Sequence, residues 1–231
     1  MSIVKTMKPF ISIFFVIAAL ELWAEATQDI QLRYFTKPLL LTILSIYFYF
    51  QTKSNTTRFS TFIFYGLVFS IGGDTLLMFQ GDDFFMGGLV CFLMTHVFYT
   101  LAFFNYLPKV KGFIGFQPFW IIPFLLFWIG FNVYLWNDLG DLQLPVLLYS
   151  GVITAMAVSA LNLKTKLPST LFWTLFLGVL LFMFSDSVIA LNKFKGDELN
   201  ILYPSLWIMI TYITAQYLIM KSCLKANGLL E

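Results

Sequence analysis

Charge is scarce in this chain of 231 residues, at 11% Asp, Glu, Lys and Arg. A soluble domain of that length carries about a quarter. A water-soluble globular fold is therefore excluded, and the composition describes a polytopic membrane protein. Histidine is nearly absent: the single copy, His96, excludes zinc or di-iron centres built from several histidines. Only two cysteines occur, Cys91 and Cys223, neither in a CxxC pair. That removes a disulfide framework and a redox motif, and no metal or cofactor is expected. No basic tract or basic-aromatic module is present and net charge is only +2, so no nucleic-acid partner is expected. Linkers and low-complexity segments are also missing, so 1–231 reads as one integral membrane domain.

Apolar residues fill the gap. They make up 59% of the chain, mean hydropathy is +0.83, and 28 Phe, 11 Tyr and 6 Trp suit a lipid-facing surface with interfacial belts. A spanning helix needs about 20 mostly apolar residues. Eight stretches qualify, at about 9–24, 37–51, 58–79, 84–106, 117–136, 142–162, 170–192 and 201–222. The predicted fold is all-α, with Pro38 at the first turn of the second helix and turns at 80–83, 137–140 and 195–198.

Loop charge orients the bundle. Lys5, Lys8, Lys53, Arg58, Lys109, Lys111, Lys164, Lys166, Lys221 and Lys225 fall in the two tails and in alternate loops. The opposite loops hold Arg33, Lys37, Lys193 and Lys195 among eight acids. The positive-inside rule then puts both termini in the cytoplasm, and the expected location is a bacterial cytoplasmic membrane. Lys5 and Lys8, an apolar run and Ala24-Glu25-Ala26 also have the outline of a signal peptide. Glu21 and Trp23 make a poor cleavage region, so the segment is read as a retained helix.

Three acids lie inside predicted spans: Glu21, Asp74 and Asp186. Burying a charge costs several kcal/mol unless it is solvated or paired, so such residues point to function. At ~1.5 Å rise per residue, Asp74 and Asp186 each sit ~9–10 Å from the outer end of their span. Gly66, Ser70 and Gly73 flank Asp74; Gly178 and Ser185 flank Asp186. Small residues let helices approach closely, which explains the glycines but not the carboxylates. Tyr149 reaches similar depth; His96, Tyr212 and Gln216 lie deeper, with Tyr99 and Thr100 on the His96 face. Lys37 and Lys193, at the outer mouth, either snorkel to lipid phosphates or hold a substrate phosphate. Gly73-Asp74-Thr75-Leu76-Leu77 also echoes Ser185-Asp186-Ser187-Val188-Ile189, four predicted helices later. That spacing outlines two four-helix halves with a site between them.

The same residues resemble the YhhN family of lysoplasmalogenases (alkenyl ether hydrolases). The resemblance rests on Lys37-Pro38-Leu39, on Ser70-x-x-Gly73-Asp74-x-Leu76-Leu77, and on Gly88 through His96 and Tyr99. It continues with Phe182-x-x-Ser185-Asp186-x-x-x-Ala190, then Leu191-Asn192-Lys193-Phe194, and ends with Tyr212-x-x-Ala215-Gln216. It implies hydrolysis of the vinyl ether bond of a lysophospholipid, giving a fatty aldehyde and glycerophospho-ethanolamine or -choline.

The chemistry can be argued separately. Protonating the β-carbon of a vinyl ether gives an oxocarbenium ion; water adds, and the hemiacetal collapses. Two carboxylates in a low-dielectric site can divide the acid and base roles. Asp74 and Asp186 are the expected pair. Tyr149 or His96 would orient them, and Lys37 or Lys193 would hold the phosphate. Two rivals stay open on these residues: a proton-coupled transporter, which also needs membrane carboxylates, and a non-catalytic lipid-binding protein.

Overall fold

The structure is a computed structural model that describes residues 8–106 and 110–228. Lys5 and Lys109, used above for orientation, lie outside the described residues. Every regular element among the described residues is helical. The helices are α1 (Lys8–Thr27), α2 (Ile30–Thr52), α3 (Arg58–Leu76), α4 (Asp82–Phe104), a single turn α5 (Phe113–Phe116), α6 (Ile122–Leu135), α7 (Gln143–Leu161), α8 (Ser169–Leu199) and α9 (Pro204–Asn227).

All eight predicted helices are present, but several boundaries differ. The second begins at Ile30, not near residue 37, because the Asp29 carboxylate accepts the Leu32 N–H and caps the helix. Arg33 and Lys37 are therefore helical, and Pro38 sits in the helix interior instead of its first turn. The 195–198 turn is absorbed into α8, which breaks helical geometry only at Lys195 (φ −129°, ψ 15°) and ends at a left-handed Asn200. α3 stops at Leu76, and Gly81 (φ 119°) turns the chain into α4. Asp74 thus lies in the last turn of α3, while Asp186 lies well inside α8. Equal distance from the two helix ends does not hold.

Six helices among the described residues are long and apolar enough to cross a membrane: α1, α3, α4, α6 with its flanking 3₁₀ turns, α7 and α8. α2 and α9 are long enough but more polar. Arg33 and Lys37 lie on the first, Gln216, Lys221 and Lys225 on the second. Both pack inside the bundle through fully buried faces, Leu40, Leu44 and Phe48 on α2 and Ala215, Ile219 and Cys223 on α9. Large apolar side chains such as Trp23, Phe35, Phe104, Leu126 and Val133 point outward, as a lipid-facing surface requires.

Close helix contact has a local cause. A Cβ on Gly73 would lie 2.7 Å from the Phe92 ring, and one on Gly178 would lie 3.1 Å from the Ala215 carbonyl. These glycines let α3 seat against α4 and α8 against α9.

Candidate active site

Asp186 is the centre of the better-formed cluster. Its Oδ2 accepts the Tyr149 hydroxyl from α7 and lies 2.8 Å from His96 Nε2 on α4. His96 Nε2 is also 3.1 Å from the Tyr149 oxygen. Three helices therefore converge on one carboxylate oxygen. His96 is fully buried, and its Nδ1 has no hydrogen-bond partner among the described residues. The Phe182 ring packs edge-on against the imidazole at 4.7 Å between centroids. An orphaned lone pair costs less there than an orphaned N–H. The neutral tautomer with the proton on Nε2 fits this setting, and it donates to Asp186.

Asp74 forms a second, separate cluster. Its Oδ2 accepts the Tyr212 hydroxyl from α9 at 2.8 Å, and the residue is 2% exposed. Phe182 also packs against Tyr212, at 5.4 Å, so one ring touches both clusters. The two aspartates share no hydrogen bond, yet each lies within electrostatic reach of the other. The exchange is reciprocal: Asp74 on α3 is held from α9, and Asp186 on α8 is held from α4.

Asp186 and Tyr149 line a narrow apolar cleft of about 50 Å³ between α4, α6, α7 and α8. Phe85, Phe92, Phe131 and Met183 form much of its wall. Asp74 does not line it. α6 closes the lipid side and has only Asn132 and Leu135 buried. It is clasped to α7 through Ser150, whose oxygen receives Asn132 Nδ2 at 2.9 Å and Trp128 Nε1 at 3.1 Å.

The remaining predicted residues divide. Ser70 and Gln216 meet at 2.9 Å, while Gln216 Oε1 accepts the Tyr99 hydroxyl at 2.7 Å and Ser70 contacts Thr95 at 3.1 Å. That network joins α3, α4 and α9; it bonds neither carboxylate directly and connects to Asp74 through Tyr212, which Gln216 also contacts. Tyr99 therefore serves Gln216, not His96. Ser185 donates to the Ile208 carbonyl across the α8–α9 contact. Lys193 is at the surface, 3.4 Å from Asp82 and above the Phe85 ring at the cleft wall. Lys37 is buried, with no carboxylate within 4 Å among the described residues, and its charge acts on both Asp74 and Glu21.

Sequence reasoning missed the roles of Phe92 and Phe182, because aromatic residues in apolar spans carry no distinguishing signal. It also placed Glu25 among the loop acids, whereas the residue lies in α1 one turn after Glu21, buried and paired with Arg33 at 2.9 Å.

Comparison with known proteins supplies independent information. The sequence model of the YhhN family matches residues 32–223. A lysoplasmalogenase, TMEM86A of Bos taurus, is 32% identical over 179 residues, 74% of this chain and 69% of that protein. Its Homo sapiens counterpart is 31% identical over the same shares. No solved structure matches. The matched range takes in both aspartates and all their hydrogen-bond partners, but not α1.

Proposed function

Because this chain belongs to the YhhN family, we propose that it hydrolyses the vinyl ether bond of a lysoplasmalogen within the membrane. The observation that carries the reading is the Asp186 carboxylate, gripped by Tyr149 and His96 and set in the wall of an apolar cleft. The apolar lining matches an alkenyl chain in chemistry, and a fixed carboxylate is set in its wall. The relatives are named lysoplasmalogenases, which supplies the substrate class.

In the proposed reaction, the alkenyl chain lies in the cleft, and the vinyl ether extends beyond it, past the Phe182 ring that touches both clusters, toward Asp74. Asp74, with one hydroxyl donor, carries the proton to the β-carbon. Asp186, with two donors on one oxygen, stays a carboxylate, faces the oxocarbenium ion and takes a proton from the attacking water. The hemiacetal then collapses to a fatty aldehyde and a glycerophospho-base. In that collapse Asp186 passes the proton it took from water to the leaving glycerol oxygen, and the hemiacetal O–H proton restores Asp74, so no net proton is consumed. Lys37, buried near Asp74 and without a close carboxylate, is the better phosphate partner. Lys193, already held by Asp82 and Phe85, stands at the cleft rim. Tyr149 and His96 orient Asp186.

Eight spans, with both termini in the cytoplasm of a bacterial cell, form part of the same proposal and rest on loop charge. The test is aldehyde release from a lysoplasmenyl lipid by the purified protein, beside Asp74→Asn and Asp186→Asn. Folded variants should lose at least about a hundredfold in rate, as expected for removal of a general acid or base. Full activity in both variants would move the chemistry elsewhere, and proton-coupled uptake without product would favour a transporter.

A further inference from the structure

Apart from the clusters above, the α1–α2 hairpin buries two more carboxylates, both on α1 and so outside the matched range. Glu21 is 0% exposed and Glu25 2%. They are one turn apart on α1, so they share a face. Thr36 of α2 bonds Glu21 Oε2, and Arg33 takes Glu25 Oε1 at 2.9 Å. Glu21 Oε1 and Glu25 Oε2 are buried with no hydrogen-bond partner among the described residues. A carboxylate oxygen left without a donor in a buried place is costly. Two such oxygens on one face call for a ligand that brings donors. Two cations serve this face: Arg33, paired with Glu25 and with its side chain 26% exposed, and Lys37, farther off but within electrostatic reach of both Glu21 and Asp74.

Two carboxylates and two cations make a neutral group of four. A zwitterion leaves that balance intact, whereas an anionic head group would add an unmatched charge to a poorly solvated site. The orphaned oxygens set a second condition, because they need N–H donors. A primary ammonium has three; a trimethylated ammonium has none. We propose that Glu21, Glu25, Arg33 and Lys37 form the head-group subsite of the lysolipid, reading a phosphoethanolamine head in preference to phosphocholine. The phosphate would meet Lys37 and Arg33, and the ammonium would meet Glu21 Oε1 and Glu25 Oε2. This rests on the hydrolase reading for the identity of the lipid. It also fits that reading in space, because Lys37 links the subsite to Asp74.

Binding separates the two ideas. Saturated 1-O-alkyl lysolipids lack the vinyl ether and are not cleaved, so their affinities read the head group alone. They would be titrated into the full-length protein in detergent, as ethanolamine and choline forms, beside a diacyl phosphatidylethanolamine. Wild type should bind the ethanolamine form about tenfold or more tightly, the size expected from charge-assisted hydrogen bonds. Glu21→Gln and Glu25→Gln should each shrink that ratio by weakening the ethanolamine form. Equal affinities in wild type would overturn the proposal, and this arm needs no variant to fold. A ratio unchanged in both folded variants would overturn the residue assignment. Diacyl lipid binding as tightly as the lysolipid would assign the subsite to bulk membrane lipid instead of substrate. If the ratio holds but no aldehyde is ever released from a vinyl ether substrate, the hydrolase reading fails while the head-group site stands.

Discussion

A single carboxylate oxygen, Asp186 Oδ2, gathers a phenol and an imidazole from two other helices. Each donor should be worth about 1.5–3 kcal/mol where the acceptor is charged. Tyr149→Phe removes one of them and should lower kcat about ten- to a hundredfold, with a smaller change in KM, because the cleft walls are untouched. At His96 the position of the donor matters. Glutamine can place an N–H near the site of the lost Nε2, whereas asparagine is too short. His96→Gln should therefore retain more aldehyde release than His96→Asn, and equal loss in the two would point to a bulk packing role. The existence of the buried aspartates was readable from sequence, since charges in apolar runs stand out. Their partners were only partly readable. Tyr149 and His96 were named as orienting groups, but nothing in the chain said that both reach Asp186 while Tyr212 reaches Asp74. Ser70 and Gln216 were named beside the carboxylates, yet they bond each other and touch Asp74 only through Tyr212.

Among the elements, the α3–α4 pair shows what small residues do. Gly73 precedes Asp74 and lies under the Phe92 ring. Gly73→Ala forces that ring aside, and overpacking of this kind costs about 1–3 kcal/mol. The variant should melt earlier in detergent and lose activity with it, because Phe92 also packs against Tyr212 at 5.7 Å. Gly130→Ala in α6 is the matched control. Nothing lies within 4 Å of its added methyl, and alanine favours helix by about 1 kcal/mol, so its melting temperature should hold or rise. Helix existence was legible from apolar runs. Helix ends were not, because capping by Asp29 or a break at Lys195 outweighs composition over a few residues.

At the scale of the whole molecule, the crosswise bonding of α3 to α9 and α8 to α4 sits well with the echo between the two aspartate segments. It ties the first four long helices to the last four at two points. Orientation remains a prediction from loop charge. In a background of Cys91→Ala and Cys223→Ala, a membrane-impermeant maleimide on intact cells should label Asp141→Cys and Asp197→Cys but spare Ser54→Cys. The opposite pattern would invert the protein and place the cleft mouth toward the cytoplasm. The amino-acid sequence by itself determined the membrane class, the eight helices, the family and the two unusual carboxylates, because hydropathy and motifs are properties of neighbouring residues. Only the tertiary structure decided which carboxylate faces a cleft, which donors hold each one, and that Glu21 and Glu25 leave oxygens open beside Arg33 and Lys37. Those facts depend on contacts between residues as much as 138 positions apart, and such contacts follow from how glycine-lined helices seat against one another, which no local pattern encodes.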